Sequence, residues 1–207
     1  MVTFVHKDFQ IIDSKTVFKG YFAVEQVIFK HRMFKGGWSE AYQREIFERG
    51  NASAVILYDP NLQQVVLLEQ FRPGALSSTK SPWMIEIVAG IIEEGETAEN
   101  VAIREAEEEA GQVIENLIEI GSYFTTPGGS TEKITLYCAR VDATDANGIF
   151  GLEDENEDIR VFTMTLDEVS KGLEQGLFEN ATALIAMQYI LLNKQKLNEL
   201  WLTDQEY

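Results

Sequence analysis

The fold is decided by one stretch of the chain, Gly90-Ile-Ile-Glu-Glu-Gly-Glu96-Thr-Ala-Glu-Asn-Val-Ala-Ile-Arg104-Glu105-Ala-Glu-Glu108-Glu109-Ala-Gly111. Thr97 is a residue type that begins helices, because its hydroxyl can accept a hydrogen bond from the first helical turn. Gly111 is a helix stop signal, because glycine adopts the left-handed conformation without strain. The stretch therefore predicts a loop followed by a helix that runs to about residue 110.

Three carboxylates crowd one turn of this predicted helix. Because a helix advances about 100° per residue, Glu105 and Glu109 share one face and Glu108 lies beside them. The same face carries apolar residues that should pack inward, namely Ala98, Val101, Ala102 and Ala106. Partly desolvated carboxylates raise one another's pKa unless a cation compensates, and hard divalent ions such as Mg²⁺ prefer oxygen ligands. The helix therefore predicts a metal site, with a solvated acidic helix as the alternative.

The residues around the carboxylates suit such a site. Gly90 and Gly95 permit a tight loop in which backbone carbonyl groups can approach a metal ion. Arg104 can pair with Glu108 four residues later, or with a carboxylate of the loop, and would thereby orient the ligands. A purely structural ion pair of Arg104 is the alternative interpretation.

The stretch resembles the Nudix box, G-x5-E-x7-R-E-U-x-E-E-x-G-U with U a bulky apolar residue, at every fixed letter. Two U positions depart from it, Ala106 and Gln112, and these departures affect packing and leave the acids intact. Pro127 follows Gly111 by sixteen residues, as in the bacterial ADP-ribose pyrophosphatases of the family. Further segments similar to that subfamily are Arg44-Glu-Ile-Phe-Glu-Arg49-Gly, Glu69-Gln-Phe-Arg72, Glu86-Ile-Val-Ala89-Gly90, Pro127-Gly-Gly-Ser-Thr-Glu132 and Gly151-Leu-Glu-Asp-Glu155-Asn-Glu157-Asp.

The resemblance implies an α/β fold, the Nudix α/β/α sandwich with a mixed sheet, preceded by a small N-terminal β domain. In the family that β domain is exchanged between two subunits, so a homodimer is expected. The sequence pattern changes near residue 50, which agrees with an N-terminal dimerisation domain over residues 1–49 and a hydrolase domain over residues 50–207.

Roles in metal binding and proton transfer also follow from the resemblance. The implied metal ligands are the backbone oxygen of Ala89 and the carboxylates of Glu105, Glu109 and Glu157, with Glu108 as a weaker candidate. Glu155, in the same acidic loop as Glu157, resembles the general base of the family. Which of these two loop residues is the base stays open, and a merely solvated acidic loop is the alternative.

The resemblance implies a set of substrate-binding residues as well: Tyr21, Phe22, Arg44, Glu45, Arg49, Arg72, Pro127, Gly128 and Glu132. The arginines would contact the diphosphate and the terminal ribose. The two aromatic residues would bind adenine, with the partner subunit as their expected source. Aromatic residues in the core of a strand and solvated surface arginines are the alternatives.

The implied activity is hydrolysis of ADP-ribose to AMP and ribose 5-phosphate, with Mg²⁺ as cofactor and Mn²⁺ as a substitute. A diphosphate linkage resists attack because its oxygens are negative, so cations must offset that charge. The same chemistry on another sugar nucleotide, such as GDP-mannose, is the first alternative. A Nudix module that binds ADP-ribose without cleaving it is the second, and an acidic metal-binding protein without a substrate is the third.

Composition narrows the classes of protein to which the chain can belong. The 207 residues are 45% hydrophobic and 25% charged, which is typical of a globular chain, and the net charge of −17 disfavours binding to nucleic acid. The single cysteine, Cys138, cannot form an intramolecular disulfide, and no signal peptide or membrane span is recognisable. We therefore expect a cytoplasmic protein with no membrane association.

Secondary structure can be predicted on both sides of the box. Gly36-Gly37 indicates a hairpin turn in the N-terminal segment. Residues 52–58 and 65–71 are predicted to form a hairpin, and residues 83–88 a single strand. Helices are expected over residues 167–175 and 181–197.

Overall fold

The computed structural model describes residues 4–78, 80–152 and 156–202. These residues form two compact units, one made of Met1–Asn51 with Phe124–Lys133 and the other of Ala52–Tyr123 with Ile134–Tyr207. We call them the N-terminal unit and the α/β unit.

The N-terminal unit is built on an antiparallel sheet of three strands in the order β1, β2, β3. Its strands are β1 (Phe9–Lys19), β2 (Ala23–His31) and β3 (Tyr42–Glu48). The predicted turn at Gly36-Gly37 is confirmed, because both residues have positive φ, 89° and 79°. Every residue of β1 is exposed, and the described residues of this unit include no buried hydrophobic side chain.

The α/β unit contains an eight-stranded sheet and three helices. The strands are β4 (Ala52–Asp59), β5 (Gln64–Phe71), β6 (Trp83–Glu86), β7 (Val88–Ile91), β8 (Asn116–Phe124), β9 (Lys133–Arg140), β10 (Gly148–Phe150) and β11 (Ile159–Thr165), and the helices are α1 (Ala98–Ala110), α2 (Leu166–Glu174) and α3 (Ala181–Leu202). The strand order is β10-β11-β5-β4-β9-β8, with β6 on β5 and β7 on β4. Strand β4 runs parallel to β9 and antiparallel to β5, so the sheet is mixed as predicted.

Helices cover both faces of this sheet. Alternate residues of β4 point to opposite faces, because side chains of a strand alternate. Ile56 packs in a cluster with residues of α2 and α3, such as Met187, while Leu57 packs in a second cluster with residues of α1, such as Ala106. The predicted α/β/α arrangement is therefore confirmed.

Most predicted elements are confirmed, with differences in their bounds. The hairpin of β4 and β5 forms, and α3 continues beyond residue 197 to Leu202. The prediction of one strand over residues 83–88 is wrong: it breaks at Ile87, because β6 pairs with β5 whereas β7 pairs with β4. The short strand β10 was not predicted from the sequence. Among the described helices, none combines the length and the apolar character needed to cross a membrane.

Candidate active site

Helix α1 begins and ends at the two residues that the sequence indicates. The Thr97 hydroxyl accepts a hydrogen bond from the backbone N–H of Asn100 at 3.2 Å. Gly111 lies in the left-handed region with φ 61°. A Cβ at this position would also lie 2.4 Å from the ring of Phe150, so a side chain there would displace β10. The glycine that closes the box thus ends the helix and permits close contact with a neighbouring strand.

Glu109 is a buried carboxylate of the candidate site. It is 3% exposed, and its Oε2 accepts a hydrogen bond from the backbone N–H of Ala89 at 3.0 Å. Burial raises the pKa of Glu109 to about 8, although the Ala89 N–H favours the charged form. Among the described residues Glu109 forms no ion pair, so burial favours its neutral form.

Strand β7 and helix α1 approach each other closely at Gly90. A Cβ on Gly90 would lie 1.9 Å from Oε1 of Glu105, a distance that real Cβ atoms do not show. Only glycine at this position leaves room for the Glu105 carboxylate beside the backbone of Ala89 and Gly90. Burial raises the pKa of Glu105 as well, although its Arg104 neighbour acts in the opposite direction.

Arg104 links the carboxylates of α1 to the preceding loop. Its Nη1 donates to Glu105 Oε1 at 2.8 Å and to Glu108 Oε2 at 2.7 Å, and its Nε pairs with Glu96 Oε1 at 3.3 Å. Glu96 in turn accepts the backbone N–H of Glu93 at 3.0 Å, which lowers the pKa of Glu96. Both pairings that the sequence offered for Arg104, with the helix and with the loop, are therefore present.

Glu157 lies beside the two box carboxylates. Its charge raises the pKa values of Glu105 and Glu109, after the larger effect of burial. Its Oε2 accepts the backbone N–H of Leu152 at 3.3 Å. Glu155, the predicted general base, lies outside the described residues.

The carboxylate oxygens of the candidate site are ligands that suit a hard divalent cation, although they do not converge on one point. Within residues 4–78, 80–152 and 156–202, no three His, Cys, Asp or Glu side chains are arranged as a metal cluster. Arg104 forms ion pairs with the carboxylates of Glu105 and Glu108. Two features favour a cation nonetheless: Glu109 is buried without an ion pair among the described residues, and the Glu105 carboxylate lies against the backbone of Gly90.

Arg72 brings a cation to the same side of the α/β unit. Its charge lowers the pKa of Glu109, against the larger effect of burial, so the two side chains are close. Arg72 Nε and Nη2 both bond Glu86 Oε2 at 2.8 Å. Glu86 is 5% exposed and was not singled out in the sequence, although a charged residue at the end of an apolar strand is the signal that could have identified it.

The N-terminal unit brings together a second group of predicted residues. Arg49 Nε pairs with Glu132 Oε1 at 3.1 Å, and the Arg49 guanidinium lies 5.5 Å from the ring centroid of Phe22. Glu132 is buried and also accepts the Thr125 hydroxyl at 2.7 Å. Tyr21 meets Phe22 edge-on at 4.8 Å between ring centroids, although Tyr21 itself is 89% exposed.

The other predicted substrate-binding residues of this unit are exposed and not joined to that group. Arg44 packs 4.8 Å from the ring centroid of Tyr42, and its Nη1 donates to the backbone oxygen of Gln43 at 2.8 Å. The remaining exposed residues are Glu45, Pro127 and Gly128.

Comparisons with known proteins identify a family, related sequences and a similar fold. The NUDIX domain family matches residues 39–184. The chain is 43% identical over 200 residues to the ADP-ribose pyrophosphatase of Escherichia coli strain K12, covering 97% of this chain and 96% of that protein. It is 32% identical over 186 residues to the GDP-mannose pyrophosphatase of Cronobacter sakazakii, covering 88% of this chain and 95% of that protein. A crystal structure of an ADP compounds hydrolase, 21% identical, has a TM-score of 0.68 over 91% of this chain and 96% of that chain, which supports the fold.

Proposed function

The chain belongs to the Nudix family, and on that premise we propose that it hydrolyses the diphosphate bond of ADP-ribose, releasing AMP and ribose 5-phosphate. The observation that carries this proposal is the buried carboxylate of Glu109 next to Glu105 and Arg72. A diphosphate needs cations around it, and this side of the α/β unit supplies both carboxylates that hold divalent ions and an arginine that binds phosphate.

The relatives favour ADP-ribose over GDP-mannose as the substrate. Identity to the ADP-ribose pyrophosphatase is 43%, against 32% for the GDP-mannose pyrophosphatase, and the first match covers more of the chain. A module that binds ADP-ribose without cleaving it would have no need of the box acids. Glu105, Glu108 and Glu109 are all retained here.

Divalent ions complete the site, and we propose Mg²⁺, with Mn²⁺ as a substitute. Glu105, Glu109 and Glu157 and the backbone oxygen of Ala89 would hold the ions, with Glu108 as a weaker candidate. When bound, Mg²⁺ offsets the diphosphate charge and makes a water molecule more acidic. Arg104 fixes the orientation of Glu105 and Glu108 before binding.

The protein's own groups supply the remaining chemistry. The exposed edge of Arg72 would bind phosphate oxygens, since a guanidinium offers five N–H donors and Glu86 engages only part of them. Glu155 would take the proton from the attacking water. Its acidic neighbours in the loop favour the protonated form and suit a base that works near or above neutral pH.

For the N-terminal unit we propose recognition of the nucleoside in a homodimer. Tyr21 and Phe22 offer aromatic surface to adenine, and Arg44 and Arg49 offer cations to the diphosphate and terminal ribose. Glu45, Glu132 and the Pro127-Gly128 turn would complete this surface. The apolar side chains of β1 are exposed, which is unusual for a free-standing sheet, and a second copy of residues 1–49 would cover them.

The proposed compartment is the cytoplasm, with no nucleic-acid or membrane partner. It rests on the single cysteine, Cys138, which is buried in β9, and on the net charge of −17.

A substrate panel tests the proposed activity. The purified protein with Mg²⁺ is assayed against ADP-ribose, ADP-glucose, GDP-mannose and NADH, with products identified chromatographically. We expect the highest kcat/KM for ADP-ribose, with AMP and ribose 5-phosphate in equal amounts. A higher kcat/KM for GDP-mannose would assign the alternative substrate, and tight ADP-ribose binding without products would indicate a binding module.

A further inference from the structure

Glu86 is a buried carboxylate whose two oxygens are both occupied. Oε2 accepts Arg72 Nε and Nη2 at 2.8 Å and Gln70 Nε2 at 3.3 Å. Oε1 accepts Asn180 Nδ2 at 2.8 Å. A buried charge is retained in a protein only when it is paired and hydrogen-bonded, and Glu86 meets both conditions. Its partners come from two separate parts of the α/β unit, the end of β5 and the residue before α3.

Asn180 ties this carboxylate to the beginning of α3. Its Oδ1 accepts the backbone N–H of Ala183 at 3.0 Å, and its backbone oxygen accepts the N–H of Leu184 at 3.0 Å. These are the contacts of a helix N-cap. The amide of Asn180 therefore has a fixed orientation, with its oxygen on the helix and its nitrogen on Glu86.

The main chain of Arg72 is fixed as well. Its N–H donates to the backbone oxygen of Pro82 at 2.8 Å, and its own oxygen accepts the N–H of Ala75 at 2.9 Å. Nε and Nη2 face Glu86, while the side chain stays 42% exposed and Nη1 has no hydrogen bond among the described residues. One edge of the guanidinium is thus bound and the outer edge is free.

We propose that Glu86 is a positioning residue that presents the outer edge of Arg72 to a phosphate group, with Asn180 anchoring Glu86 to α3. A guanidinium binds a phosphate through two parallel N–H donors only if its plane has the correct orientation. Glu86 fixes that plane in the free protein, so less side-chain entropy is lost on binding. This inference rests on the proposed function for the identity of the substrate, and on geometry alone for the orientation of Arg72.

The test combines single and double variants. Glu86→Gln keeps the shape and removes the charge, and we expect it to raise KM for ADP-ribose roughly tenfold while kcat changes less than about threefold. Asn180→Ser removes the amide that binds Glu86 but keeps a hydroxyl that can cap α3, and it should raise KM roughly threefold in the same direction. In an Arg72→Ala background each change should alter KM less than about twofold, because the arginine through which both residues act is absent.

A matched control lies on β5, the strand that pairs with β6. Glu69 accepts Arg160 Nε at 2.7 Å and forms an ion pair between β5 and β11 that includes neither Arg72 nor Glu86. Glu69→Gln should leave KM unchanged, whereas a general effect of losing a carboxylate would raise it. Thermal unfolding of every variant is measured in parallel.

Affinity for ADP, measured by calorimetry with Mg²⁺, separates this inference from the proposed function. If the wild type binds ADP without cleaving ADP-ribose, the proposed activity fails, and the ADP affinities still decide the role of Glu86. Weaker ADP binding in Glu86→Gln that disappears in the Arg72→Ala background supports positioning. An unchanged affinity and KM with a lowered melting temperature, or equal effects in both backgrounds, would show that Glu86 is only structural.

Discussion

Glu109 of the α/β unit and Tyr21 of the N-terminal unit are both predicted site residues, yet the first is 3% exposed and the second 89% exposed. Glu109 is held by the core of its own unit, where α1 packs on the sheet through Ala102 and Ala106. Tyr21 lies in the connection between β1 and β2, in a unit without a buried apolar side chain among its described residues. The residues proposed to bind metal are therefore held by the core of their own unit, whereas those proposed to bind the nucleoside have no such core around them.

The largest effect is expected at the centre of the α/β unit. Glu109→Gln removes one charge with little change of volume, and we expect kcat for ADP-ribose to fall roughly a thousandfold with the fold retained. Glu107→Gln is the matched control, since Glu107 lies exposed on the same helix. Turnover is measured at saturating Mg²⁺. Wild-type turnover in the Glu109 variant would remove this residue from the site.

A smaller loss of activity is expected for substitutions in the acidic loop that contains Glu155 and Glu157. Glu155→Gln should lower kcat roughly a hundredfold or more while KM stays within a few fold, with partial recovery at high pH through hydroxide. Glu157→Gln should raise the Mg²⁺ concentration needed for half-maximal rate, because a ligand charge is lost. The assignments would be exchanged if Glu157→Gln lost kcat with an unchanged Mg²⁺ requirement and Glu155→Gln behaved like the wild type.

A substitution in the N-terminal unit should change the oligomeric state of the protein. Ile11 is 62% exposed on β1, and a lysine there would place a charge in the proposed dimer contact. We expect Ile11→Lys to convert a dimer into a monomer by light scattering at micromolar concentration and to reduce activity roughly tenfold. Gln10→Lys introduces the same charge at a neighbouring polar position and should remain dimeric. A monomeric wild type with full activity would contradict the proposed assembly.

The smallest effect concerns stability of the metal-free protein. Glu109 keeps its proton up to a pKa of about 8 when folded, against an ordinary value of 4.5. Between these values unfolding releases a proton, so the melting temperature in chelator should fall by several degrees as pH rises from about 5 to about 8. Glu109→Gln should flatten this decline, and Glu107→Gln should keep it. Equal slopes in the two variants would show that Glu109 does not titrate there.

The α/β half of the site could be predicted because its signals are local. The bounds of α1, the shared face of Glu105 and Glu109 and the pairing of Arg104 with Glu108 all follow from helix geometry over one short stretch. Gly90 was predicted for its backbone freedom, and the structure shows a further need for glycine: the Glu105 side chain fills the space of a Cβ.

What could not be predicted depends on pairing between distant segments. Glu86 meets Asn180 because β6 ends near the beginning of α3, although 94 residues separate them. The break between β6 and β7 arises because the two strands pair with different neighbours, which no local pattern encodes. The contact of Arg49 with Glu132 likewise joins the residue after β3 to the residue before β9.

The central claim is that carboxylates of the α/β unit hold divalent ions for cleavage of ADP-ribose, and its most direct test is a Mg²⁺ titration of that reaction after thorough chelation. Wild-type protein should form no AMP in chelator and should regain full turnover as Mg²⁺ is added back, whereas Glu109→Gln should stay nearly inactive throughout the titration. Release of AMP and ribose 5-phosphate at an undiminished rate in the presence of chelator would contradict the account.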